Sequence, residues 1–129
     1  RSALPLMEVR GGAVIALSYI GGEKAVKNYN VMGVAKSALE SSIRYLAADL
    51  GPKNIRANAI SAGPMRTLAA RGLKDFAVMY DGMKEKAPLK RNITTTEVGD
   101  TATFLCSELA SGITGEILHV DAGYHAVGV

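Results

Sequence analysis

The sequence predicts an open parallel α/β sheet, and two observations carry this prediction. Three short runs rich in Val, Ile and Ala are bounded by glycines or prolines, which is typical of strands buried within a parallel sheet. Amphipathic segments of helical length separate these runs, and such alternation is typical of parallel strands joined by right-handed crossovers. We therefore expect about three parallel strands with helices in a chain of 129 residues, the length of one domain or of part of one.

The first half of the chain is predicted to hold two strands and one long helix. GGAVIALSY, from Gly11 to Tyr19, is the first predicted strand, and we expect it to be buried on both faces. Apolar residues recur at helical spacing from about Asn30 to Leu50, and a Gly-Pro pair then ends the helix. NIRANAISAGP, residues 54–64, is the second predicted strand and ends in another Gly-Pro turn.

The second half is predicted to hold further helices and a last strand. Residues 67–88 are amphipathic but contain Gly72 and Gly82, which predicts two short helices. Threonines followed by Glu97 are typical of a helix N-cap, and the helical pattern then continues to Leu109, with Cys106 expected in the core. GEILHVDAG, residues 115–123, is the third predicted strand.

Composition argues against several classes of function. The net charge is only +3, and the basic stretch KEKAPLKR has no interleaved aromatic residues, so we expect no nucleic-acid binding. No run of about 18 apolar residues occurs, so we expect no membrane span. A single cysteine suits a reducing compartment. His119, His125 and Cys106 do not have zinc-ligand spacing, so we expect no metal site.

Two tyrosines and a lysine stand out in SYIGGEKAVKNYNVMGVAK, residues 18–36. On one helix, Tyr29 and Lys36 would lie within about 20° of one face and about 10.5 Å apart along the axis. Tyrosine is a proton donor at neutral pH, and a nearby ammonium would lower its pKa. Such a pair suits the stabilisation of an oxyanion, although the same spacing also fits a packing tyrosine and a surface lysine. Gly33 between them predicts close approach of a ligand or another backbone.

Three stretches of the chain resemble the short-chain dehydrogenase/reductase superfamily, and within it the bacterial-type enoyl-[acyl-carrier-protein] reductases. They are SYIGGEKAVKNYNVMGVAKSALE, RANAISAGPMRTLAARGLKDF and GEILHVDAGYHAVG, in the family's order. The Tyr-x6-Lys pair of that branch, with a second tyrosine ten residues upstream, occurs as Tyr19, Tyr29 and Lys36. The resemblance implies that residues 1–129 are a single partial domain, the C-terminal half of a Rossmann-like doubly wound sheet, beginning within a longer protein.

The resemblance also implies an activity. It is the reduction of the 2,3 double bond of trans-2-enoyl thioesters on acyl carrier protein during fatty acid elongation, with NADH favoured over NADPH. It further implies a cytoplasmic homotetramer built in part on the helix from Asn30 to Leu50. The nearest alternative is a 3-ketoacyl or other carbonyl reductase of the same superfamily. Another is a catalytically silent module for cofactor binding or subunit interaction.

The roles of individual residues follow from the same resemblance. Tyr29 would bind the thioester oxygen, Lys36 the nicotinamide ribose, and Tyr19 would line the acyl pocket, so these three are the catalytic candidates. The candidates for cofactor binding are Lys36, Met65, Arg66, Thr67, Leu68 and Ala69. The candidates for the substrate pocket are Tyr19, Met32, Phe76 and Met79. Residues 66–87 are expected to form a flexible flap over the acyl chain.

Overall fold

A sheet of three parallel strands, in the order β1-β2-β3, forms the centre of the fold. The computed structural model describes residues 3–67, 70 and 76–127. The strands β1 to β3 are Gly12–Ser18, Ile55–Ala62 and Ile117–Val120. The helices α1 to α5 are Leu4–Met7, Val31–Leu50, Phe76–Lys86, Thr95–Cys106 and Tyr124–Val127. The predicted parallel α/β sheet, with about three strands, is therefore confirmed.

The register of the sheet brings two strand ends together. β1 pairs with β2 from Gly12 opposite Ile55 to Ser18 opposite Ser61, and β2 pairs with β3 on its other side. The carboxyl ends of β1 and β2 therefore lie side by side at one edge of the sheet. Ligands of open α/β sheets bind outside this edge, so the loops that leave it are the first place to look for a site.

Burial differs between the two longer strands, and it corrects one prediction. β2 is buried along almost its whole length, as expected of a central strand. β1, which we expected to be buried on both faces, is mostly half-buried, and Leu17 is 54% exposed. Within the residues that the structure describes, β1 has only β2 as a strand neighbour, so its outer side is not covered.

The predicted ends of α2 agree closely with the structure. The helix begins at Val31, one residue after the predicted start, and ends at Leu50. Gly51–Lys53 then forms a 3-10 turn with Pro52 near its start. Asn54 takes a left-handed conformation with φ of 55° and leads directly into β2. Proline cannot continue a helix, and asparagine tolerates the left-handed region, so these residues explain the sharp connection.

α4 begins with the predicted cap. The Thr94 side chain accepts a hydrogen bond from the Glu97 amide, and the Glu97 side chain accepts one from the Thr94 amide, which completes a capping box. The helix ends at Cys106 and not at Leu109, because Ser107 is extended and caps a separate 3-10 turn. Cys106 is exposed, so the prediction that it lies in the core is wrong.

α3 contains Gly82 without a break, contrary to the prediction that a glycine would divide this segment. The helix runs from Phe76 to Lys86. A helical glycine costs only about 1 kcal/mol, and burial of the adjacent Met83 can offset that cost. The first of the two predicted short helices, with Gly72, lies largely outside the described residues.

The main core lies between the sheet and α4. Val98 and Leu105 of that helix pack with Ile60 of β2 and with Ile93. This packing holds the central strand rigidly and so supports the sheet edge where β1 and β2 end. Of the helices in the described ranges, none combines the length and apolar character needed to cross a membrane.

Candidate functional site

A cavity of about 510 Å³ opens at the carboxyl ends of β1 and β2. Its walls come from the end of β1, the start of α2, the loop after β2 and the first turn of α3. The described residues that line it are Leu17, Ser18, Tyr19, Tyr29, Met32, Lys36, Ala62, Gly63, Pro64, Met65, Thr67, Ala70, Phe76 and Met79. The structure thus brings together eight of the candidate residues: Tyr19, Tyr29, Met32, Lys36, Met65, Thr67, Phe76 and Met79.

Tyr29 lies before α2 and not on it. We expected Tyr29 and Lys36 to share one helix face, but the helix begins at Val31 and Tyr29 belongs to the preceding turn. The asparagines on either side have positive φ, 65° at Asn28 and 43° at Asn30. Asparagine is among the few residues that tolerate this region. The turn therefore sets the direction of the Tyr29 side chain into the cavity.

Lys36 lies in the second turn of α2, and its side chain extends to β1. Its Nζ donates a hydrogen bond to the carbonyl oxygen of Leu17 at 2.7 Å. Close packing of helix and turn makes this reach feasible, because a Cβ at Gly33 would lie only 2.7 Å from the carbonyl oxygen of Gly21. The expected close approach at Gly33 is therefore confirmed, and the approaching group is backbone.

Tyr19 lies between Tyr29 on one side of the cavity and α3 on the other. Its ring meets that of Tyr29 edge to face, with centroids 5.0 Å apart and an interplanar angle of 64°. Its hydroxyl points to two sulfur atoms of α3, at 3.3 Å from Met79 Sδ and 3.7 Å from Met83 Sδ. Thioether sulfur is a weak acceptor, so the hydroxyl is held loosely on an apolar wall.

Burial raises the pKa values of both tyrosines. The pKa of Tyr19 rises to about 12, chiefly because the ring is desolvated, with smaller contributions from Tyr124 and Tyr29. The pKa of Tyr29 is also raised, by burial. The expected lowering by the Lys36 ammonium is therefore wrong for this structure. Both phenols keep their protons at neutral pH and can act as hydrogen-bond donors.

The loop after β2 supplies the third wall. The Thr67 amide donates to the carbonyl oxygen of Met65 at 2.9 Å, and the Ala70 amide donates to Thr67 Oγ1 at 3.2 Å. The second bond is the type that a capping threonine makes, so Thr67 at least orders this loop. Leu68 and Ala69, the last two cofactor-binding candidates, lie outside the described residues.

Arg66 points away from the main cavity. It lines a neighbouring pocket of about 240 Å³ together with Thr67, Phe76 and Tyr80. Its guanidinium lies over the Tyr80 ring, 5.0 Å from the centroid, in a cation–π arrangement. Arg66 as a residue that binds the cofactor stays a prediction.

The histidines form a cluster apart from the cavity lining. His119 and His125 stack with ring centroids 4.0 Å apart. His119 Nε2 lies 2.8 Å from Glu23 Oε1, and His125 Nδ1 lies 2.9 Å from Asp121 Oδ1. Among the described residues, no group of three or more His, Cys, Asp or Glu side chains could hold a metal ion.

Sequence reasoning missed several residues around the tyrosines. Met83 follows Met79 by four residues, a spacing that places both on one face of a helix and could have indicated it. Glu40 is buried and hydrogen-bonded to Ser18, and Tyr124 contributes to the raised pKa of Tyr19. Both residues are distant in sequence from the groups they affect. No local pattern indicates such contacts.

Comparison with known proteins agrees with this arrangement. The family model described as enoyl-(acyl carrier protein) reductase matches residues 1–125. The chain is 59% identical over 117 residues to the enoyl-[acyl-carrier-protein] reductase (NADPH) FabI of Staphylococcus aureus strain MRSA252, covering 91% of this chain and 46% of that protein. It is 56% identical over 125 residues to the NADH counterpart of Bacillus subtilis strain 168, covering 97% and 48%.

A solved structure agrees in fold as well. The crystal structure of enoyl-[acyl-carrier-protein] reductase (NADH) from Aquifex aeolicus VF5 superposes with a TM-score of 0.94 at 55% identity, covering 98% of this chain and 49% of that one. The chain thus spans about half the length of the relatives it matches. Because the family model spans nearly all of it and the backbone follows that of a solved member, the chain belongs to the enoyl-(acyl carrier protein) reductase family.

Proposed function

We propose that the protein containing this chain reduces the 2,3 double bond of trans-2-enoyl thioesters on acyl carrier protein during fatty acid elongation. The observation that carries this proposal is the convergence of Tyr19, Tyr29 and Lys36 on one cavity with an apolar wall. The names of the relatives support it, since they are enoyl-[acyl-carrier-protein] reductases at 56–59% identity. In this proposal the chain is the C-terminal half of the enzyme.

The chemistry of the donors on the cavity wall fits a nicotinamide riboside. Lys36 has three N–H donors, one of which is on the Leu17 carbonyl, and ribose hydroxyls are suitable acceptors for another. The loop from Met65 to Thr67 would hold the nicotinamide and the adjoining phosphate. When bound, the reduced cofactor supplies the hydride. We favour NADH over NADPH, because the relatives from Bacillus subtilis and Aquifex aeolicus carry NADH in their names.

Tyr29 would serve as the donor to the reacting carbonyl. Negative charge develops on the thioester oxygen during reduction of the double bond, and a hydrogen bond placed there stabilises it. The raised pKa of Tyr29 keeps its proton in place at neutral pH. Tyr19 would pack beside the acyl chain with Met79 and Phe76, which exclude water from the same space.

The two enzyme classes are separated by one pair of assays on the complete protein. With NADH, the wild-type protein should reduce a short trans-2-enoyl thioester. It should reduce the matching 3-ketoacyl thioester no faster than a Tyr29→Phe control does. Reduction of the 3-ketoacyl thioester alone would favour a carbonyl reductase. Binding of NADH with no turnover of either thioester would favour the silent module.

We further propose that residues 66–87 form a flexible segment over the acyl chain and beside the carrier protein. The contact of Met79 with Tyr19 supports this, because α3 touches the cavity through few side chains. Lys84 and Lys86 at the end of α3 would suit an acidic carrier protein. Hydrogen exchange of α3 should slow when NADH and an apolar inhibitor bind together, and equal exchange with and without them would contradict the idea.

The outer face of α2 supports a proposed assembly. Val31, Val34 and Tyr45 are large apolar or aromatic side chains that this helix leaves exposed. Such exposed patches are typical of subunit contacts. We propose that α2 contributes to a homotetramer. We also propose a cytoplasmic location, which the free thiol of Cys106 supports because reduced cysteines are usual there.

A further inference from the structure

A buried carboxylate lies behind the cavity and has no place in the chemistry proposed so far. Glu40, on α2, is only 5% exposed, and its Oε1 accepts a hydrogen bond from the equally buried Ser18 hydroxyl. Acidic side chains are seldom buried unless they are paired. Within the described residues its partner is a hydroxyl and it forms no ion pair, so a hydrogen bond and not charge neutralisation fixes the position of the carboxylate.

Glu40 acts on the same stretch of β1 as Lys36. The two residues are four apart on α2, so their side chains lie on one face of the helix. Lys36 Nζ holds the carbonyl oxygen of Leu17, and Glu40 holds the hydroxyl of Ser18. The two residues of β1 that immediately precede Tyr19 are therefore both attached to α2.

Glu40 also touches the chain on the far side of Tyr19. A Cβ at Gly22 would lie 2.6 Å from Glu40 Oε1, so a larger residue there would displace the carboxylate from its present position. Ser37, one turn before, donates its hydroxyl hydrogen to the carbonyl oxygen of Gly22 at 2.5 Å. The turn that carries Tyr19 is thus attached to α2 at both ends, and Glu40 is the residue in contact with both.

We propose that Glu40 is a positioning residue for Tyr19. Its carboxylate holds the turn from Ser18 to Gly22 against α2 and so fixes the ring of Tyr19 between Tyr29 and Met79. Glu40 does not line the cavity, so it acts through the turn that it holds, which carries Ser18 and Tyr19 into the cavity wall. The role of Tyr19 at the substrate rests on the proposed function, whereas its position can be measured without activity.

The kinetic test uses the complete enzyme with four substitutions. Glu40→Leu and Ser18→Ala each remove one partner and should lower kcat/KM for the enoyl thioester about tenfold or more, with a raised KM. The dissociation constant of NADH should stay unchanged, because Lys36 keeps its bond to Leu17. Glu40→Gln retains an acceptor oxygen and should recover most of the rate. Asp49→Leu removes the same charge from the exposed part of α2 and should stay within about twofold of wild type.

A second measurement follows Tyr19 directly and needs no substrate. The methyl resonances of Met79 and Met83, labelled with carbon-13, sense the nearby ring of Tyr19, whose hydroxyl contacts their sulfur atoms. Glu40→Leu should shift them in the same direction as Tyr19→Leu, and Asp49→Leu should leave them in place. If Glu40→Leu does not fold, the methyl resonances are measured in Ser18→Ala, which removes only a single hydroxyl.

The outcomes separate this proposal from the proposed function. Failure of the wild-type enzyme to reduce any enoyl thioester would overturn the function, and the methionine resonances would still decide the position of Tyr19. Unchanged resonances together with unchanged kcat/KM in a folded Ser18→Ala protein would overturn the role of Glu40. Equal loss of NADH affinity and thioester turnover would also overturn it, because a general loss of structure would then be the cause.

Discussion

Substitution of Gly33 by alanine should expose how tightly α2 packs on the turn that carries Tyr19. A methyl group at this position would lie 2.7 Å from the carbonyl oxygen of Gly21, well inside van der Waals contact. The obstacle is backbone and cannot rotate away, so helix and turn must separate. Overpacking of this kind costs about 1–3 kcal/mol, whereas alanine gains about 1 kcal/mol over glycine in a helix. We expect a net loss of about 1 kcal/mol and misplacement of Tyr19.

Gly99 on α4 provides the matched control. It is also a helical glycine, but a methyl group there would meet no atom within 4 Å. Gly99→Ala should therefore stabilise the protein by about 1 kcal/mol. Because the helical gain is common to both variants, the difference between them isolates the clash at Gly33. Urea unfolding measures both free energies, and thioester turnover should fall in Gly33→Ala alone. Equal stabilisation by both substitutions would refute the close packing.

Three further predictions concern catalysis, pH and assembly. Tyr29→Phe should lower kcat by about 10²-fold or more and leave NADH binding intact. Lys36→Ala should lower kcat and also weaken NADH binding. Equal loss of NADH affinity in both variants would contradict their separate roles. Arg91 and Thr94 hold the pKa of Glu97 at about 2, below its ordinary 4.5, so its stabilisation is present above pH 4.5 and lost as pH falls towards 2. The stability gap between wild type and Glu97→Gln should therefore close over that range in urea unfolding, and a constant gap would refute the coupling. Ala38→Glu on the outer face of α2 should dissociate the proposed tetramer, and light scattering that shows an unchanged mass would argue against that contact.

The elements of the fold were predictable wherever local signals were strong. The run of buried residues in β2, the Gly-Pro end of α2 and the capping box at Thr94 each depend on neighbours close in sequence, and each is present. The half-burial of β1 was not predictable, because its composition matches that of a covered strand and exposure depends on what lies beside it. The continuity of α3 through Gly82 likewise depends on tertiary packing, which outweighs a cost of about 1 kcal/mol.

The sequence predicted which residues line the candidate site better than it predicted how they are arranged. Parallel strands end at one edge, so residues that follow β1 and β2 lie close together, and the cavity lining includes them. The position of Tyr29 in a turn was missed, although an asparagine on each side was a usable signal. The bond between Ser18 and Glu40 joins residues 22 apart, and no periodicity in the sequence indicates that pairing.

The methionines around Tyr19 have a consequence for the range of acyl chain lengths that the proposed substrate site would accept. Met32 and Met79 line the cavity, and Met83 supports the same tyrosine from α3. A methionine side chain has three rotatable bonds and no branch, so it changes shape at little energetic cost. If the proposed acyl substrate binds here, a wall made of such groups would adapt to short or long acyl tails by changes of rotamer, without movement of the backbone. Selection by length would then fall to the depth of the cavity and not to the fit of its walls.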